Sequence, residues 1–135
     1  MTKFLNTLLF TIVLASCNDV KKKDNNINAL KQLNSPADSV SAEPYLFTDK
    51  NGLVYLSWIE KSKQNSSLKF SVLKNKSWSA PYTITSGNNW FVNWADYPML
   101  SSDGSNNLIA HILQKSGEST YAYDVKFITS ADNGK

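Results

Sequence analysis

The stretch SGNNWFVNWAD, Ser86 to Asp96, holds the densest set of side chains able to recognise a ligand. Trp90, Phe91 and Trp94 are interleaved with Asn88, Asn89 and Asn93, and Asp96 closes the run. Aromatic faces beside amides and a carboxylate suit a sugar ring, which offers C–H faces for stacking and hydroxyls for directed hydrogen bonds. Trp90, Trp94 and Asn93 are therefore the candidate glycan contacts. The same aromatics could instead pack between neighbouring sheets, and residue types alone leave both roles open. Asp96 is the one candidate for a catalytic carboxylate. His111, the only histidine, falls in the apolar run LIAHIL with no catalytic partner beside it.

Composition removes several other chemistries. The 135 residues have room for one ordinary domain. The net charge is +3, but Lys21, Lys22 and Lys23 supply most of the excess. From Ser41 onward nine lysines face eight acidic residues. Phosphate binding needs clustered cations on folded structure, so nucleic acid is not expected as a partner. Cys17 is the only cysteine, which excludes an internal disulfide. With one histidine there is no zinc cluster either, and no metal or cofactor is expected. Every basic residue is lysine. The bidentate grip that arginine makes on a carboxylate is unavailable to this chain.

Three kinds of segment would position that loop. The first is MTKFLNTLLFTIVLASC, with Lys3 ahead of an apolar run from Phe4 to Ala15. Such a run is too short for a bilayer core, which takes about 20 helical residues, and it fits the apolar region of a secretory signal. Leu14-Ala15-Ser16-Cys17 resembles the bacterial lipobox. That resemblance implies cleavage before Cys17 and lipidation of its sulfur and new amino group. Two or three acyl chains anchor stably where one is marginal. An ordinary signal peptide with an incidental cysteine, or a short uncleaved anchor, are the alternatives. The expected layout is a signal over residues 1–16 and a lipidated flexible tether over 17–43, polar and rich in Asn and Lys. The mature protein would sit in the bacterial cell envelope, held to the membrane through Cys17.

From Pro44 the texture becomes strand-like. PYLFTDKNGLVYLSWIE predicts two strands around a turn at Asp49–Gly52, since Asn-Gly between apolar runs is a hairpin signal. LKFSVLK and WSAPYTIT predict a third and a fourth strand, with Pro81 placing the last at an edge. The pattern then recurs. Pro44 and Asp49 return 54 residues later as Pro98 and Asp103, and Lys69-Phe70 returns 57 later as Lys126-Phe127. A four-stranded unit repeating at that length predicts an all-β chain built like propeller blades, about 44–86 and 97–135. A generic antiparallel sheet with similar turns is the alternative.

The chain ends in Ser130-Ala131-Asp132-Asn133-Gly134-Lys135, which resembles the Asp-box, or BNR repeat, of sialidase-like propellers: Ser-x-Asp-x-Gly-x-Thr-Trp. Ser71 through Trp78 resembles a degenerate copy that keeps Ser71 and Trp78 and has Asn75 where Gly is usual. The box is a structural turn, with Gly134 suited to positive φ and Asp132 to accepting hydrogen bonds. The resemblance implies a β-propeller whose second blade is incomplete here, and further blades after Lys135. It also implies, for sialidases, three arginines, a Tyr–Glu nucleophile pair and an Asp acid/base. This chain departs from that pattern, because it has no arginine and reads Ala42-Glu43-Pro44-Tyr45 near the first blade. The expected function is glycan binding, or glycan hydrolysis by a longer parent. A non-catalytic surface scaffold for protein interaction or assembly is the alternative.

Overall fold

A computed structural model describes residues 31–134. The expected signal segment, Cys17, most of the tether and Lys135 lie outside the described residues. Of the described tether residues, 31–40 have bends and a turn but neither helix nor strand, whereas Ser41–Glu43, expected in the tether, already belong to the first strand.

Among the described residues every regular element is a strand, and every strand pairing is antiparallel. The first sheet contains β1 (Ser41–Thr48), β2 (Val54–Lys61), β3 (Ser66–Lys74), β4 (Ser77–Trp78) and β5 (Tyr82–Gly87). The second contains β6 (Met99–Ser102), β7 (Leu108–Lys115) and β8 (Tyr123–Ser130). Within each sheet consecutive strands are neighbours, except that β4 and β5 both pair with β3. The sequence predicts one strand where β4 and β5 stand. Pro81 explains the division: it has no N–H for the ladder, so pairing lapses and resumes at Tyr82. Strand β1 begins three residues ahead of Pro44. A bulge between Ala42 and Tyr45, with Glu43 at φ 53°, lets the chain pair on both sides of that proline.

The spacing of the repeat is reproduced in the ladder. Thr48 faces Val54 in the first sheet, and Ser102 faces Leu108 in the second, each 54 residues on. Val54 also faces Leu73, as Leu108 faces Ser130, so the third strands are 57 apart. The turns agree too. Asp49 Oδ1 accepts the amides of Asn51 and Leu53, both at 2.9 Å. Asp103 Oδ1 accepts those of Ser105 at 2.7 Å and Asn107 at 3.3 Å. Gly52 and Gly104 follow at φ 78° and 71°, a left-handed backbone that glycine adopts without a Cβ penalty. The two turns touch: Asn51 Nδ2 donates to Gly104 O, and Lys50 Nζ to Ser105 Oγ at 3.5 Å.

One of these turns has a pH signature. The Asn107 side-chain amide, then the Ser105 N–H, hold the Asp103 carboxyl below its ordinary value of 3.8. A lowered carboxyl supports the turn fully above the unfolded-state value and loses that support as pH falls through the folded-state one. An NMR titration should therefore place the Asp103 midpoint below 3.8, and Asn107→Ala should raise it. A midpoint that Asn107→Ala leaves in place would remove this account of the turn.

The sheets pack face to face, and the faces they use are not equivalent. The first sheet contributes Tyr55, Ile59, Leu68, Phe70 and Val72 to the core. The second contributes Leu100, Leu108, Ala110 and Ile112. Carried across by 54 or 57 residues, the first set becomes Ile109, Leu113, Val125, Phe127 and Thr129, on the opposite face of the second sheet, where Leu113 is buried and the other four are exposed. The arrangement is head to tail, the relation that makes a heterologous rather than a self-complementary interface. Its consequence is an outer face on which Ile109 is 45%, Val125 51% and Phe127 68% exposed.

Candidate functional site

The loop after β5 starts at Asn88 and runs along β7, beyond the Met99 end where β6 begins. Lys115 donates its N–H to Asn89 O, and Phe91 donates its N–H to Leu113 O, both at 2.8 Å. Trp90 forms a bridge with Gln114. These bonds make residues 89–91 a short extension of the second sheet, which fixes everything that follows. Trp90 is half-buried and, with Val92, packs against the core. Its indole lies over Gly87, so close that a Cβ there would sit 3.0 Å from two ring carbons. Of the two roles open to Trp90, its surroundings are those of packing.

Beyond Val92 the chain reverses through a tight turn. Asn93 donates its N–H to Asp96 O at 3.0 Å, and its Oδ1 accepts the amides of Ala95 at 2.7 Å and Asp96 at 2.8 Å. Its Nδ2 donates to Asp96 Oδ2 at 3.3 Å. Asn93 and Asp96 are thus committed to the turn, a use of asparagine that replaces backbone bonds with side-chain ones. Trp94 stands at the tip of that turn and is 85% exposed. A ring of that size left in water on a stiff turn is an apolar platform without a partner.

A second aromatic group flanks the same strand end. The Phe91 ring stacks on Tyr123, with centroids 4.8 Å apart and planes at 15°. Tyr121 meets Phe91 edge-on at 6.2 Å and is 76% exposed. Lys115 Nζ sits 5.4 Å from the Phe91 centroid and donates to Ser119 O and Thr120 O, each at 2.8 Å. Those bonds hold the β7–β8 loop against the 89–91 segment. Sequence reasoning missed Tyr121, Tyr123 and Lys115. The alternation in YAYDVKF would put both tyrosines on one side of a strand, but Tyr121 lies in the turn before β8, and it is the Lys115–Tyr123 pairing that brings Tyr123 to Phe91.

The Asp-box-like residues lie at the other end of β8. Ser130 Oγ accepts the amides of Asp132 at 3.2 Å and Gly134 at 2.7 Å, and donates to Asp132 Oδ1 at 2.6 Å. Asn133 and Gly134 have φ of 62° and 76°. Asn133 is tied to Asn106 through its N–H and its Nδ2, both at 2.9 Å. The Ser71–Trp78 segment is built differently. Asn75 and Lys76, at φ 52° and 64°, form a two-residue hairpin turn of the left-handed kind. Ser71 lies in the ladder opposite Leu56 and donates to Ser79 O at 3.2 Å, while Trp78 faces Leu73 and is half-buried. The ladder offset of 57 carries Leu73, not Ser71, onto Ser130.

A cavity of about 430 Å³ opens at that end, between Thr83 and Ile84 of β5, Leu108, Ala110 and Ile128 of the second sheet, and Asp132 of the turn after β8. It lies at the Ser130 end of β8, whereas the Phe91–Tyr123 stack lies at the other. No protein family, curated protein or solved structure matches this chain.

Proposed function

We propose that this chain belongs to an exported, lipid-anchored bacterial surface protein whose sheets are successive propeller blades, and that it recognises glycans through the loop at Trp94. The observation that carries the reading is Trp94 itself: 85% exposed and mounted on a turn closed by Asn93 and Asp96. Phe91, Tyr121 and Tyr123 form a further aromatic cluster, and Phe91 stands three residues before Trp94 in the same loop. Binding fits better than hydrolysis. The Asp96 carboxylate is engaged by Asn93, and the sequence has no arginine to clamp an acidic sugar. Two lines of sequence support the location and architecture: the lipobox-like Cys17 and the Asp-box-like turn at Ser130–Gly134.

The test is retention of the full chain on an array of neutral and acidic oligosaccharides. Trp94→Ala should lower the affinity of any bound glycan at least about tenfold, near 1.4 kcal/mol, as expected when an aromatic anchor is truncated. The thermal midpoint should not move, since Trp94 is outside the core. Failure to bind any glycan, or a Trp94→Ala chain that binds as well as the parent, defeats the proposal. The scaffold reading is favoured by a different observation, the apolar outer face at Ile109, Val125 and Phe127.

A further inference from the structure

We infer that Asp96 makes the Trp94 turn selective for neutral sugars and against sugars that carry a carboxylate. This rests on the glycan reading above and names the class of glycan. The two side chains share one turn. Asn93 donates its N–H to Asp96 O at 3.0 Å, and its Oδ1 accepts the amides of Ala95 at 2.7 Å and Asp96 at 2.8 Å. Trp94 and Asp96 thus stand two residues apart on a frame closed by its own bonds. That frame belongs to no strand of either sheet, so it owes nothing to an unpaired edge. The Trp94 indole, 85% exposed, offers a flat face to the C–H side of a pyranose ring.

The turn uses only part of the Asp96 carboxylate. Oδ2 accepts from Asn93 Nδ2 at 3.3 Å, and Asp96 joins neither of the ion pairs among the described residues. Oδ1 has no partner among the described residues and is not sealed from water. A carboxylate accepts hydrogen bonds and donates none, so this oxygen suits sugar hydroxyls, and its charge strengthens the bonds they donate. A carboxylate on the ligand meets the opposite treatment. It has no proton to donate, and Asp96 repels it. The loop supplies no cation to offset that, since residues 86–98 contain neither lysine nor arginine. Lys115, which reaches Phe91 of the same loop, has its Nζ donating to Ser119 O and Thr120 O. Two like charges about 4 Å apart in water disfavour each other about fivefold, and by more where the ligand displaces water.

Matched pairs of immobilised oligosaccharides read the result, each neutral member beside a counterpart capped with sialic acid or oxidised to a uronic acid. The full chain should bind neutral members at least about fivefold tighter than their carboxylated counterparts. In salt of about 1 M, where the screening length is about 3 Å, that ratio should fall toward one. Asp96→Asn keeps an oxygen for Asn93 Nδ2 and removes the charge, so it should bring each ratio to within about twofold. Comparing variant with parent cancels any attraction of acidic sugars to Lys21, Lys22 and Lys23, which both chains carry. Unchanged hydrogen exchange at the amides of residues 95 and 96 shows that the variant keeps the turn. If those amides exchange faster, the salt series on the parent decides alone. Binding to neither set defeats the glycan reading, and this inference with it. Carboxylated members bound equally or tighter, a ratio that persists in high salt, or one that Asp96→Asn leaves unchanged with the turn intact would each overturn the selectivity while glycan binding stands.

Discussion

Replacing Phe70 with alanine lowers the stability of the folded unit by about 3–5 kcal/mol, while the same change at Phe127 leaves it within about 0.5 kcal/mol. The two residues hold the same place in the repeat, 57 apart and each in the third strand of its sheet. Their surroundings differ. Phe70 is 2% exposed, its ring stacked between Tyr55 at 6.4 Å and Tyr82 at 5.2 Å. Gly134 of the second sheet's last turn lies against that ring, with its Cβ position 3.5 Å away. Truncation there removes burial and leaves a cavity between the sheets, and both terms destabilise. Phe127 is 68% exposed and loses little when shortened. For a unit of this size, about 4–8 °C of midpoint accompanies each kcal/mol. Phe70→Ala should therefore melt at least about 12 °C lower. Thermal unfolding at dilute concentration, where association contributes nothing, makes the comparison. Equal losses at the two positions would remove the head-to-tail account of the core.

Gly87→Ala should loosen the whole aromatic loop. Gly87 has no unusual backbone demand, so the effect is steric. An added methyl would meet the five-membered ring of Trp90, with two ring carbons at 3.0 Å and Nε1 nearer still. The indole has no easy retreat, because Trp90 is half-buried against the core and bridged to Gln114. Overpacking of this kind costs about 1–3 kcal/mol. The local consequence is more telling than the global one. If Trp90 leaves its place, the Lys115 N–H bond to Asn89 and the Phe91 N–H bond to Leu113 lose their support. Hydrogen exchange at those two amides should accelerate more than at Ala110 or Ile112 in mid-strand. Unchanged protection at Lys115 and Phe91 would mean that the loop is held by something other than Trp90. Glycan affinity through Trp94 should fall as well, since its turn is attached to this segment.

These effects separate what is local in the sequence from what is not. Turns were legible because their chemistry is contained within a few residues. Asp49 and Asp103 each bond amides two and four positions ahead, so the 54-residue spacing is visible as text, while the positive-φ glycine falls at a different step in each turn, Gly52 third after Asp49 and Gly104 first after Asp103. Strands were legible from alternation. Their boundaries were less so at the prolines: Pro44 is spanned through a bulge and Pro81 divides a strand, and both outcomes depend on a partner strand that sequence does not place. The loop at Ser86–Asp96 was legible as an aromatic cluster, but its aromatics divide in role. Trp90 turns inward because residues 89–91 find free backbone groups on β7, and Trp94 stays outside because Asn93 and Asp96 close the turn beneath it.

By itself the sequence determined the all-β character of the two similar sheets between Ser41 and Ser130, their turn chemistry and the lack of an arginine clamp, since each follows from residue type and short-range spacing. Only the tertiary structure decided which face of each repeat is covered. Phe70 and Phe127 are one residue type at one repeat position, yet head-to-tail packing buries the first and exposes the second. The reason is that burial belongs to a pair of surfaces, and a repeat pattern specifies each surface without saying what meets it.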